Sequence, residues 1–443
     1  MSQISEAKLQ IVRGLIEQAP DSAVRTLLTA LSDSELDAGL AAVKTIIEAE
    51  AADRRARNAV LAPIAPLCAV GGFSHITFPP RTLSQIWKGL KAVAPGEVDR
   101  VRALLAEWRP DESSPETFDA LCAVAAVELQ SAAQPNFAAA AQAAEAGAGL
   151  ASLIGCLDLA PITRRALDRL PDWLGRMTDE KAAALRLAYR DVVAIADDGG
   201  PRFFEMLAGA LAEPWLILRV ISGAMGRPAE TYLASSELAN FGERLLDAID
   251  AQLEVVSSFN INAGAQGAHT AASAAMQATL IIAEFETSLV LSPEGAWGRR
   301  LSKQKRTLAS LVELRLREVD DAVSHALPLQ TIRLGPRSLR GVPKLTADPD
   351  PAQVARASTL LSFLHEVRLS AQNGGFASAR AKAVEILEAR LDAYVEDILA
   401  DLRAGEVENI ARARAFLEIA ARFCGLARDE KAAQIVRRRA AAA

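Results

Sequence analysis

The segment VVSSFNINAGAQGAHTAASAAMQATLIIA, residues 255–283, runs for 29 residues between Glu254 and Glu284 without a charged side chain. A stretch like this has to be shielded from water by neighbouring protein or by lipid. Asn260, Asn262, Gln266, His269 and Gln277 interrupt it, and its strongest apolar run, Leu280 to Ala283, stops at Glu284. A membrane span needs about 20 predominantly apolar residues, so the reading is a buried helix. Gly264, Gly267, Ala271, Ala274, Ala275 and Ala278 leave room on it for close approach by neighbours.

The flanking sequence supplies those neighbours. Helical patterning extends over 228–258, 263–291 and 293–327, broken by turn signals at Asn260–Gly264 and at Leu291-Ser292-Pro293. In the third segment Leu301, Leu308, Val312, Leu316, Val319, Val323 and Leu327 recur at three-, four- and seven-residue steps, a single apolar stripe. Short turns between long helices favour antiparallel packing. The charge-free helix is therefore expected at the centre of a long-helix bundle.

Composition extends the reading to the whole chain. Hydrophobic residues make up 51 % and charged residues 23 % of 443 residues, aromatics only 5 %. Alanine, the strongest helix former, is abundant, and the β-branched and aromatic runs of strands are scarce. The expected fold is all-α and multi-helical, with N- and C-terminal helical subdomains around the central antiparallel bundle. Pro, Gly and cap signals divide it into an N-terminal helical region (1–110), an Ala-rich helical region (111–200), the long-helix bundle with a basic segment (201–345) and a C-terminal helical subdomain (346–443). Asp197-Asp198-Gly199-Gly200-Pro201 is the best boundary signal, and 328–351 reads as an irregular, Pro-rich linker or loop. No repeat near 34 or 40 residues holds twice, which argues against a regular solenoid. Four widely spaced cysteines without a C-x-x-C pair suggest free thiols in a reducing, cytoplasmic setting.

Charge is distributed unevenly. The chain carries a formal net charge of -6, whereas Arg299–Lys344 holds eleven Lys and Arg against four Asp and Glu. An acidic whole excludes a generally basic, nucleic-acid-coating protein. Arg299, Arg300, Lys303, Lys305 and Arg306 fall at the start of a helix, where cations oppose the macrodipole, so an anion is expected to offset them. Arg333, Arg337, Arg340 and Lys344 follow in the loop and could fold back beside them. Together these nine residues are the candidate anion- or partner-binding set. The competing interpretation is a solvated helix face and a basic loop paired internally with the acidic remainder.

Catalytic signatures are missing. There is no G-x-G-x-x-G, no Walker-type loop, no G-x-S-x-G and no His-Glu-x-x-His. The residues three before His75, His269, His325 and His365 are Gly72, Gln266, Ala322 and Ser362, so the diiron Glu-x-x-His pattern is missing as well. No catalytic residue, cofactor or metal site is assigned. The leading expectation is a non-enzymatic helical interaction or scaffold protein for a protein partner, its oligomeric state open. The alternative is binding of nucleic acid or an anionic membrane surface through 299–344. A third reading is a helical enzyme or small-ligand binder with a pocket at a buried polar centre around His269.

Overall fold

Alanine-rich, aromatic-poor sequence forms twenty α-helices and a single two-stranded sheet among the described residues. The computed structural model describes residues 6–32, 38–109, 115–131, 135–335 and 338–443. The all-α expectation holds. The chain divides into two compact units, Met1–Arg227 and Pro228–Ala443.

The first unit contains α1 (Glu6–Gln18), α2 (Asp21–Ser32), α3 (Ala38–Val60), α4 (Arg81–Val93), α5 (Pro95–Glu107), α6 (Glu116–Gln130), α7 (Ala138–Glu145), α8 (Leu150–Asp158), α9 (Ala160–Leu174), α10 (Asp179–Ile195), α11 (Gly199–Ala210) and α12 (Ile217–Met225). Short helices with small side chains bury little apolar area each, and buried polar residues join them. Arg164 donates to the Ala59 and Val60 carbonyls, both at 2.6 Å, and to Asp119 Oδ1 at 2.8 Å, linking α9 to α3 and α6. Asp53 of α3 accepts from Trp87 Nε1 at 3.0 Å and Lys91 Nζ at 2.8 Å on α4, and from Arg102 on α5. Glu205 of α11 accepts from Ser74 Oγ at 2.9 Å and the His75 amide at 2.7 Å, which fastens the Pro/Gly-rich loop before α4. The expected boundary at Asp197–Pro201 is instead the start of α11, a helix packed on α8, α9 and α10.

The second unit contains α13 (Glu230–Ala234), α14 (Ala239–Ser257), α15 (Gly264–Ser288), α16 (Ala296–Ala326), β1 (Leu329–Gly335), β2 (Ser338–Pro343), α17 (Pro351–Glu366), α18 (Ala377–Ala404), α19 (Ile410–Ala427) and α20 (Glu430–Ala442). The charge-free helix is α15, and its Ala268, Ala271, Ala272, Ala274, Ala275 and Ala278 are buried. Its chief neighbours are α14 and α17, with a smaller contact to α16. The second wall is therefore α17, from beyond the expected linker, and α17 also packs along α16. Residues 346–443 thus continue the bundle, with α18 on α16 and α19 on α17. All seven residues of the α16 stripe, from Leu301 to Leu327, are buried. The segment expected as one helix from Pro228 is two, separated at 235–238.

Candidate functional site

The basic start of α16 is built around a buried carboxylate. Strand-like bonds between Pro228, Glu230 and Val290 (3.1 and 3.0 Å) hold the start of α13 against the chain just after α15. This aims Glu230, 2 % exposed, at the first turn of α16. It accepts from the amides of Trp297 at 2.7 Å, Gly298 at 3.2 Å and Ser292 at 3.0 Å. A carboxylate on the unsatisfied amides of a helix N-terminus satisfies donors and compensates the dipole together. The approach requires glycine: a Cβ on Gly295 would lie 2.2 Å from Glu230 Oε1, and one on Gly298 2.0 Å from the Ser292 carbonyl oxygen. Of the two sources open for the offsetting anion, a partner or the chain's own acids, the chain itself supplies one at this helix end.

The cations that follow separate into two groups. Arg300 meets Glu243, Asp247 and Asp250 of α14 at 3.2, 2.5 and 2.6 Å, and Lys305 meets Glu286 of α15 at 2.6 Å. Burial would raise the Asp250 pKa, but hydrogen bonds from Arg300 and Gln304 and the nearby cations hold it below the ordinary aspartate value. Arg299, Lys303 and Arg306 are exposed and have no ion-pair partner among the described residues. An open cleft of about 550 Å³ between α14 and α16 is lined by Lys303 and Arg300 but also by Asp250 and Glu254, so its charge is mixed. Sequence reasoning missed the acids at 243, 247 and 250. Their i, i+4, i+7 spacing on α14, which runs parallel to α16 as Trp297, Arg300 and Gln304 meet Glu243, Asp247 and Asp250 in turn, was the available signal.

The remaining predicted cations lie elsewhere. The supposed irregular loop is a β-hairpin, with Leu329 opposite Pro343, Thr331 opposite Gly341 and Arg333 opposite Leu339. The Lys344 amide donates to the Pro328 carbonyl at 2.8 Å and closes the base. β2 packs against α18, where Arg340 pairs with Asp397. Arg333 and Lys344 are exposed, together with Leu329, Ile332 and Leu339 at 47, 37 and 69 %. Arg337 lies outside the described residues. The hairpin cannot extend the patch at the helix start. At 1.5 Å per residue Leu329 lies about 40 Å from Lys303, and a seven-residue strand folded straight back would recover little more than half of that. The eight described cations of the set do not form one surface.

His269 is not in a buried polar centre. Its side chain is 60 % exposed, and Nδ1 lies 2.7 Å from Glu366 Oε2 of α17. The buried face of α15 is the alanine face, and His269 falls on the stripe left open beside Thr270 and Gln277. In the first unit a cleft of about 640 Å³ is floored by Val24, Leu28 and Leu105, but its Asp21 and Arg54 are engaged with each other at 2.8 Å. All four cysteines are free and buried; burial pushes Cys68 up to about 12 and Cys122, Cys156 and Cys424 to about 11, so none is an activated nucleophile. No group of three His, Cys, Asp or Glu side chains among the described residues could hold a metal ion. No single described helix is long and apolar enough to cross a membrane.

No protein-family model matches the chain, and no curated protein or solved structure matches it significantly.

Proposed function

We propose that the chain is a helical interaction protein whose contact element is the β1–β2 hairpin, and that its partner is an acidic protein segment that adds to the hairpin as an extended strand. The observation that carries this reading is an isolated two-stranded sheet, exposed and cationic, on an otherwise helical unit. Residues 329–344 contain Arg333, Arg337, Arg340 and Lys344 and no Asp or Glu. β2 is the strand packed against α18, which leaves the outer edge of β1 for pairing. A bare strand edge presents a row of backbone donors and acceptors that another strand satisfies, and alternating side chains then set specificity. The exposed Leu329 and Leu339 beside Arg333 suit a segment alternating apolar and acidic residues. The hairpin has no aromatic side chain, so base stacking has nothing to work with.

A labelled peptide of alternating Glu and Val, titrated by fluorescence anisotropy at two salt concentrations, tests the proposal. Binding is expected to strengthen at low salt. It should be lost when residues 329–343 are replaced by a Gly-Ser linker, and weakened in an Arg333→Glu/Lys344→Glu variant. Equal binding by those variants would overturn the proposal. So would binding confined to duplex DNA, RNA or anionic liposomes, which would move the function to phosphate-rich surfaces.

A further inference from the structure

A second feature of the C-terminal unit lies outside the segment singled out by charge. The last turn of α17, the connection into α18, the first turn of α18 and the end of α19 surround an open pocket of about 540 Å³. His365, Arg368, Arg380 and Arg422 line it. Each is anchored by a neutral group. Arg368 Nη1 donates to the His365 carbonyl at 3.1 Å, Arg380 Nε to the Leu364 carbonyl at 3.2 Å, and Arg422 Nη2 to Ser358 Oγ at 2.9 Å. None of the three has a carboxylate partner among the described residues. Elsewhere on the wall charge is balanced: Arg428 pairs with Glu388 and Asp392 at 3.0 and 2.7 Å, and Arg437 with Glu418 and Glu430 at 2.9 and 3.0 Å. The one further acid, Asp429, caps α20 by accepting from the Ala432 amide at 2.9 Å.

We propose that this pocket binds the phosphate group of a small phosphorylated molecule, held by Arg368, Arg380 and Arg422 with His365 beside them. Three guanidiniums from three separate segments, Arg368 and Arg422 exposed and Arg380 half-buried, border one open concavity without counter-ions, and an anion entering it would relieve their mutual repulsion. Burial and the neighbouring Arg368 charge both push the Arg380 pKa below the ordinary arginine value. A carboxylate has two oxygens in one plane and is matched by a single fork. A phosphate dianion has three oxygens around a tetrahedron and accepts from several directions. The anchoring bonds use one nitrogen of each guanidinium and leave the others for the ligand. Nδ1 of His365 lies 3.1 Å from the Leu426 carbonyl, which fixes the ring and leaves Nε2 as its uncommitted nitrogen. The cavity exceeds a phosphate ion in size, and Gly425, Leu426 and Ala427 give the remainder a neutral surface for an organic moiety.

Isothermal titration calorimetry of the full chain with inorganic phosphate and with phenyl phosphate, against sodium chloride at matched ionic strength, tests the proposal. Both phosphates are expected to bind, phenyl phosphate more tightly. Arg368→Gln and Arg380→Gln should each weaken binding by about tenfold or more, the effect of losing a charge-assisted hydrogen bond. Arg422 is exposed, so Arg422→Gln gives the same readout should either other variant fail to fold. The hairpin replacement should leave phosphate binding unchanged. A response to phosphate no larger than that to chloride would overturn the site, as would unchanged affinity in Arg380→Gln and Arg422→Gln. Equal affinity for the two probes would overturn the organic part of the ligand and leave free phosphate.

Discussion

Glu230 and Arg300 show how one side chain decides what a neighbouring charge can do. Glu230 occupies the amides at the start of α16 and is almost fully buried, so its removal leaves those donors unsatisfied. Glu230→Ala is expected to cost about 2–4 kcal/mol in urea unfolding, and Glu230→Gln clearly less, because the amide oxygen still accepts. Arg300 and Arg299 are adjacent cations in sequence. Arg300 sits among three carboxylates and Arg299 faces solvent. Arg300→Ala should cost about 1 kcal/mol, since the acids of α14 then repel one another, and Arg299→Ala should stay within about 0.5 kcal/mol. Equal losses for the two arginines would contradict the pairing.

Between elements, the buried aspartate of α3 is the clearest hinge of stability. Burial alone would raise the Asp53 pKa, but hydrogen bonds from Lys91, Arg102 and Trp87 hold it below the ordinary value of 3.8. A depressed folded-state pKa contributes stability above the unfolded value and loses it as pH falls through the folded one. Thermal melts from pH 7 to pH 2 should therefore fall off below about pH 4. Asp53→Asn should be less stable at pH 7 and show a shallower acid dependence. An identical acid slope in that variant would remove Asp53 from the account. The hairpin belongs to this scale too. Its alternation of Leu329, Thr331 and Arg333 with Gln330 and Ile332 was present in the sequence, but Gly335, Pro336, Gly341 and Pro343 are the residues of turns and irregular segments. Strand pairing overrode that local signal once the register matched and α18 supplied a surface beneath β2.

Across the molecule, the grouping into two units departs from the order of Pro/Gly signals along the chain. Residues 328–350 separate α16 from α17 in sequence, yet α17 packs on both α15 and α16. Pro228–Ala443 expressed alone should be helical by circular dichroism and unfold in one cooperative urea transition. Residues 346–443 alone should not, because α17 would lose the helices that bury Leu360, Leu361 and Phe363. Cooperative unfolding of the shorter piece would restore an independent C-terminal subdomain.

The sequence by itself determined the helical class, the existence of a long charge-free helix and the buried stripe from Leu301 to Leu327. These follow from propensity and periodicity, which act over a few residues. Only the tertiary structure decided which cations stay free. Arg300 finds its acids 50 to 57 residues away and Arg340 finds Asp397 57 residues away, while Arg368, Arg380 and Arg422 line one pocket with no carboxylate partner of their own among the described residues. Electrostatics acts through space at a few ångströms, so the charge pattern along α16 marked where cations are dense but not where they lack partners.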